Sequence, residues 1–355
     1  MTARFLEETI TRTCRPLLFI LGLILLANLC TIARASESDV AGFYRGRTIN
    51  LIAGFNPGGS ADTHARLLAR HISPFIPGNP PVVVRNMQGA SSLNAANYIY
   101  NISPKDGTEL GLFAGNITTD PLIFPGANKY DARQFNWIGA PSAAVNVCVS
   151  SLTSKFRTIK DVIEHEMIIG TTGTAGNSTY DFPTVLNNVM GAKLRLVKGY
   201  AGSAALNLAM SRNEIEGFCG VGYDFLQGAG LDEGKANILV QFGLRKSRYM
   251  PDVPFIMDYA KNDEDRQVFN LVFGWLSFER PIGAPPRTPP ERVNALRMAF
   301  DSTMRDPAYL EDAKKVKVDI EPISGLAISD FLKDVYNLPP AITNKAAEYL
   351  GRMGQ

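Results

Sequence analysis

The sequence predicts an α/β fold in two domains, and three observations carry that prediction. At 355 residues the chain is longer than one hydrophobic core comfortably serves. Short apolar runs alternate with segments of helical period, as in parallel strands joined by crossover helices. Those runs repeatedly end in glycine and small residues just before a helix begins. The composition, 45% hydrophobic and 20% charged, is that of an ordinary globular protein.

Residues 1–35 are expected to be a targeting segment outside the fold. Arg12 and Arg15 precede an apolar stretch from Leu17 to Ile32, shorter than the roughly 20 residues a bilayer-spanning helix needs. Ala33-Arg34-Ala35 supplies an A-x-A signal, so cleavage after Ala35 and a periplasmic location are expected. Around Cys30 the order is "ANLC", with Leu beside the cysteine, which argues against a lipid anchor. Four Arg and two Glu leave with this segment, so Lys+Arg falls from 36 to 32 and Asp+Glu from 34 to 32. A neutral mature chain has no general positive field for nucleic acid or an anionic membrane. Cys148 and Cys219 remain, in the strand-like stretches "VNVCVS" and "IEGFCG". A disulfide and two small buried thiols both stay open.

Along the mature chain, strands are expected at Thr48–Ala53, Val82–Arg85, Glu109–Phe113, Asn146–Val149, Met167–Gly170, Leu194–Val197, Ile238–Phe242 and Leu271–Leu276. In "SADTHARLLARHI", Ala61, Ala65, Leu68 and Ile72 share one helical face, with Ser60 placed to cap and Asp62 in the first turn. "SLNAANYIYNI" and "SAALNLAMSRNEI" have the same period. These alternations predict largely parallel sheets. From "PPERVNALRM" onward the tail is mostly helical.

The strand–glycine–helix device occurs four times, as "IAGFNPGGSAD", "VVVRNMQGASSLNAA", "IIGTTGTAGNSTYDFP" and "RLVKGYAGSAALNLAM". Loops of this kind gather at the carboxyl edge of a parallel sheet. Glycine lets a ligand approach the backbone, and first-turn N–H groups lack intrahelical partners. Each such turn therefore favours a carboxylate or phosphate. Any one of them is equally well an ordinary connection; four in one exported two-domain chain favour a ligand cleft.

Enzyme signatures are sparse. The histidines are His64, His71 and His165; the first two lie about two helical turns apart, too far to share a metal. The chain contains no G-x-S-x-G elbow and no G-x-x-x-x-G-K-[ST] phosphate loop. No catalytic residue, metal or cofactor is expected.

"FNPGGSADTHARLLARHI" followed by "VVVRNMQGASSLNAANYIYNISPKDGTELGLF" resembles the opening of the tripartite tricarboxylate transporter receptors, the Bug family of periplasmic solute-binding proteins. The matching residues are Phe55, Pro57, Gly58, Gly59, Ser60, Asp62 and Arg66, then Asn86, Gly89 and Ala90, then Pro104, Asp106, Gly107 and Leu110. "LVKGYAGSAALNLAMSRNEIEG" and "RPIGAPPRTPPERVNALRMAFDSTMRDP" resemble later family segments, so the likeness spans nearly all of the mature chain. The middle departs from it: "GTTGTAGNSTYDFP" has no His where the family has one, and "VKGYAGSAA" lacks a Pro and shifts the Tyr.

The resemblance implies a two-domain Venus-flytrap fold of the type II periplasmic binding protein kind. The expected division is 36–145 plus 272–355 against 146–271, with crossing strands near Asn146–Val149 and Leu271–Leu276. It implies capture of a small carboxylate, of the di- or tricarboxylate class, and delivery to a two-subunit membrane permease by a monomeric receptor. The implied contacts are Phe55, Asn56, Gly58, Gly59, Ser60 and Asp62, with Gly89, Ala90 and Ser91, from the first domain. From the second they are Thr174, Ala175, Gly176, Asn177 and Ser178, with Tyr200, Ala201, Gly202 and Ser203. Asp62 has two readings: accepting N–H groups in the first helical turn, or holding a ligand amide or bridging water. A periplasmic sensor presenting the same ligand class to a signalling receptor is the alternative on the same fold.

Overall fold

The computed structural model describes residues 39–124, 126, 128–231 and 234–351; the expected targeting segment and its cleavage site lie outside them. In chain order the strands are β1 (Ile49–Ala53), β2 (Val82–Asn86), β3 (Glu109–Leu112), β4 (Asn136–Ala140), β5 (Asn146–Ser151), β6 (Met167–Thr171), β7 (Leu194–Lys198), β8 (Gly217–Gly222), β9 (Ala236–Phe242), β10 (Ile282–Ala284) and β11 (Ile323–Ser324). The principal helices are α1 (Ser60–His71), α2 (Leu93–Asn101), α3 (Ile159–Glu164), α4 (Ser178–Met190), α5 (Ser203–Ser211), α6 (Tyr223–Gly228), α7 (Asp263–Phe273), α8 (Pro290–Thr303), α9 (Pro307–Lys315), α10 (Gly325–Tyr336) and α11 (Pro340–Tyr349).

Two sheets form, one of six strands in the order β11-β4-β10-β3-β1-β2, the other of five in the order β7-β6-β8-β5-β9. Both are mixed. β1 runs parallel to β2 and β3, and β6 parallel to β7 and β8, through helical crossovers. β10 is antiparallel to β3 and β4, and β5 to β8 and β9. The expectation of largely parallel sheets therefore holds at the βαβ units and fails where the chain passes between sheets. Helices cover both faces, so β1 and β5 are buried along nearly their whole length. Leu51, Leu68, Leu296 and Phe300 pack on one side of the first sheet. Val147, Leu206, Phe218 and Leu226 do so on the second. A third cluster runs from Trp137 through Phe182 and Phe242 to Phe273 and Leu332, spanning both sheets.

The run Leu271–Leu276 is not a strand. α7 continues to Phe273, and Gly274–Phe278 follow as a 3₁₀ turn. Val268, Phe269, Leu271, Val272 and Phe273 are all buried, and a helix buried on several sides leaves no polar face to mark its period. The chain crosses between sheets at residues 141–145 and 274–281 instead. These two segments are tied together: Ala144 N–H donates to Leu276 O at 2.7 Å and Glu279 N–H to Ser142 O at 3.2 Å. Asn146–Val149, expected to cross, lies wholly within the five-stranded sheet as part of β5. The tail is helical as expected, and α11 packs on α7 and α4, the helices that flank the second sheet. Cys148 and Cys219 face one another across β5 and β8, their sulfurs joined as a disulfide.

Candidate ligand cleft

The wall on the first sheet is built around one buried carboxylate. Asp62, in the first turn of α1, accepts from the Gly58 N–H at 2.8 Å, Arg66 Nε at 2.8 Å and Asn86 Nδ2 at 2.8 Å. Asn86 also donates to Phe55 O and accepts from Arg66. Burial alone would raise the Asp62 pKa, but the hydrogen bonds from Arg66, Gly58 and Asn86 overcome it and hold the group at about 2. These contacts are the structural role read from the sequence, and they consume the Gly58 N–H. Ser60 is the first helical residue and Gly59 the N-cap, without a side-chain cap; the Ser60 hydroxyl accepts instead from Arg280 Nη2 at 3.1 Å.

After β2 the chain makes a left-handed turn at Ala90, Ser91 and Ser92, with φ of 47°, 49° and 72°. Non-glycine residues rarely adopt this conformation. Ser92 fixes the turn, donating to Gly54 O and accepting from the Ala114 N–H, both at 3.0 Å. Ser91 is thereby turned into the cleft wall.

On the second sheet, neutral groups do most of the equivalent work, beside the Asp181 carboxylate, which accepts from the Gly176 N–H at 3.2 Å. Asn177 caps α4, accepting from the Thr179 N–H at 3.0 Å and its hydroxyl at 2.6 Å. The Thr179 hydroxyl also meets Thr171 Oγ1 and accepts from the Thr172 N–H. Ser178 Oγ donates to Gly220 O at 2.7 Å. Gly220 has φ of +71°, and a Cβ there would lie 2.1 Å from Ser178 O, so only glycine lets β8 approach the start of α4. α5 begins at Ser203 after Gly202, again without a side-chain cap.

Between the walls lies a cavity of about 400 Å³, a size suited to a small metabolite. Of the residues expected from the sequence, Phe55, Ser91, Gly176, Asn177, Ser178 and Ser203 line it together. Asn56, Gly58, Gly59, Ser60, Asp62, Gly89, Ala90, Thr174, Ala175, Tyr200, Ala201 and Gly202 are outside the lining, in the loops that shape it. The sequence reading missed Asn116 and Asp120 after β3, Asn146 at the start of β5, and Trp275, Glu279 and Arg280 on the return crossing. "FAGNITTD" repeats the strand–glycine–turn device and could have signalled the first two. The others sit on a crossing segment that has no motif.

Arg280 is the one Lys or Arg among the described lining residues. Its guanidinium donates to Ser142 Oγ at 3.1 Å and Ser60 Oγ at 3.1 Å, pairs with Glu279, and lies 3.7 Å from Asp224. Burial pushes the Glu279 carboxyl upward against the pull of Arg280. Helix starts supply the remaining positive field: Ala61 of α1, Ser178 and Thr179 of α4 and Ser203 of α5 all face the cavity. Two of those three helices lack a side-chain cap, leaving first-turn donors for an anion.

Residues 65–346 match the family described as "Tripartite tricarboxylate transporter family receptor". A "UPF0065 protein in gbd 5'region" of Cupriavidus necator is 25% identical over 286 residues, 78% of this chain and 80% of that protein. A TctC solute-binding protein from Polaromonas, solved without ligand, aligns with a TM-score of 0.65 at 19% identity, over 85% of this chain and 99% of its own. A protein of R. palustris solved with adipate aligns with a TM-score of 0.63 at 18% identity, over 86% and 98%. At these identities the solved structures share the fold, a two-domain periplasmic binding protein.

Proposed function

The chain belongs to the tripartite tricarboxylate transporter family receptors, and from that premise we propose that it is a periplasmic solute-binding receptor. It captures a small carboxylate between domains 36–145 plus 272–355 and 146–271, with α11 reaching across to the second. It then hands the ligand to a two-subunit membrane permease. The observation that carries this reading is the convergence of three helix starts, from both sheets, on one cavity. Backbone N–H groups at Ser178 and Ser203 and the hydroxyls of Ser91 and Ser203 would grip opposite ends of the ligand.

The ligand class is that of di- and tricarboxylates, as for the relative solved with adipate. A cavity of about 400 Å³ with a single arginine suits the dicarboxylate end. Closure turns on the paired crossing segments 141–145 and 274–281. A ligand touching both walls binds the closed form better than the open one, which is the differential affinity a hinge needs.

The test is a panel of succinate, adipate, malate and citrate, read by melting temperature and by tryptophan fluorescence. Trp275 lines the cavity while Trp137 is fully buried, so a ligand-dependent emission change reports on the cleft. Saturation with a true ligand should raise Tm by about 2–4 °C. No shift with any member of the panel would overturn the carboxylate reading.

A further inference from the structure

A second cavity, of about 260 Å³, shares only Glu279 and Arg280 with the ligand cleft. Both crossing segments wall it, through Ser142–Val145 on one and Leu276 and Ser277 on the other. α1, α6, the loop 243–249 and residues 317–323 complete it. It therefore lies against the hinge, with contributions from the elements of both sheets.

Its wall contains a buried polar group with nothing to bind. His64 is 3% exposed. Its Nδ1 is fully enclosed and has no hydrogen-bond partner among the described residues. Burial, helped by the neighbouring Arg280, lowers its pKa to about 2, so the imidazole is neutral and offers one N–H. An unsatisfied buried polar group costs stability unless something at the site meets it.

The charge around the cavity has a definite sign. Arg245, Lys246, Arg248, Lys317 and Arg280 line it, against Asp224, Glu279, Asp319 and Glu321. Five cations against four carboxylates leave one net positive charge, which favours an anion. Arg280 is already paired with Glu279 and Asp224, whereas Arg245 has no ion-pair partner among the described residues. The wall also has an apolar side, Val145, Leu244 and Leu276 with the rings of Tyr223 and Tyr249 stacked 6.1 Å apart, beside neutral polar residues such as Gln227 and Ser277.

We propose that this hinge cavity is a second binding site, for a small organic monoanion with an apolar body and one carboxylate. The body packs on Val145, Leu276 and the tyrosine pair. The carboxylate is held by Arg245, and the His64 ring forms part of the inner wall. Because both crossing segments form the site, its occupancy favours whichever hinge state shapes the cavity best, and so couples to the cleft.

Titration calorimetry with benzoate as the probe tests this on the purified protein and three variants. Arg245→Glu and Gln227→Trp change exposed positions of the second cavity, and Ser203→Trp obstructs the ligand cleft. Circular dichroism confirms that each variant is folded. The expected result is benzoate binding to the wild type, weakened at least about tenfold by Arg245→Glu through charge reversal, abolished by Gln227→Trp and kept by Ser203→Trp. Binding lost in Ser203→Trp and kept in the other two would place benzoate in the cleft and overturn the proposal. No binding to the wild type at millimolar benzoate would overturn it as well.

Discussion

The two walls of the cleft are held in different ways. On the first sheet a single ionised carboxylate, Asp62, gathers the loop through Gly58, Arg66 and Asn86. On the second sheet the loop hangs mainly on neutral hydroxyls and an amide, Thr171, Thr172, Asn177 and Thr179, with Asp181 taking the Gly176 N–H. The sheet beneath is crosslinked by Cys148–Cys219. Both arrangements leave helix starts facing the cavity. The contrast teaches that the anion-binding geometry belongs to the strand–turn–helix unit. How the turn is fastened is free to vary, and each fastening has its own main weakness: acid for the first wall, whose one carboxylate takes three donors, and reductant for the second.

The largest difference should come from the disulfide. The bond closes 71 residues of chain, a constraint worth about 4 kcal/mol through the entropy of the unfolded chain. Replacing both cysteines by alanine, or reducing the wild type, should lower unfolding stability by about that amount. Limited proteolysis should then open the region of β5 to β9 first. If the double variant unfolds as the wild type does, the second sheet does not depend on this crosslink.

Asp62→Ala should rank next, at about 3 kcal/mol, since it strands the Gly58 N–H, leaves Asn86 Nδ2 with only Phe55 O and breaks a partly buried pair. Because the folded pKa lies below the ordinary 3.8, at about 2, the Asp62 contribution is complete above about pH 4 and is lost as pH falls through about 2. The stability gap between wild type and variant, measured by urea unfolding, should therefore narrow over that acid range. Thr179→Val, the corresponding cut in the second wall, should cost about 2 kcal/mol, with a gap that stays constant with pH. A gap that narrows in acid for both variants would erase the distinction between the walls.

Much of this architecture was legible in the sequence. β1, β2, β3, β6 and β7 were found to within a residue or so at their ends, because each is an apolar run stopped by glycine, asparagine or a charged residue. β4, β10 and β11 are absent from the expected strands, and β8 is read only as a strand-like stretch around Cys219. β10 and β11, three and two residues long, are strands only because β3 and β4 offer them partners, while β4 carries a glycine and an asparagine in five residues. The "LVFGWL" run reads as a strand because the buried end of α7 and a central strand look alike where no polar face marks the period. In the cleft, turn residues such as Ser178 and Ser203 announced themselves through local chemistry. Glu279 and Arg280 did not. Their place is set by the pairing of two segments more than a hundred residues apart, and nothing in "FERPIG" records that.

The smallest expected effect bears most directly on function. Ala90, Ser91 and Ser92 all sit at positive φ, a conformation that costs about 1 kcal/mol per residue. Ser92 explains its own strain by bridging Gly54 and Ala114, whereas no hydrogen bond within the described chain employs the Ser91 hydroxyl. Ser91→Gly removes the steric cost but adds unfolded-state entropy, so stability should rise by only about 0.5 kcal/mol. If the hydroxyl is held out for the ligand, the same change should weaken carboxylate binding about fivefold, the loss of one hydrogen bond. A more stable protein that binds less well would show that the first wall stores strain to aim a donor. Unchanged affinity would mean that the turn serves only to carry Ser92 into place, leaving the backbone of α1 as the first wall's contribution to binding.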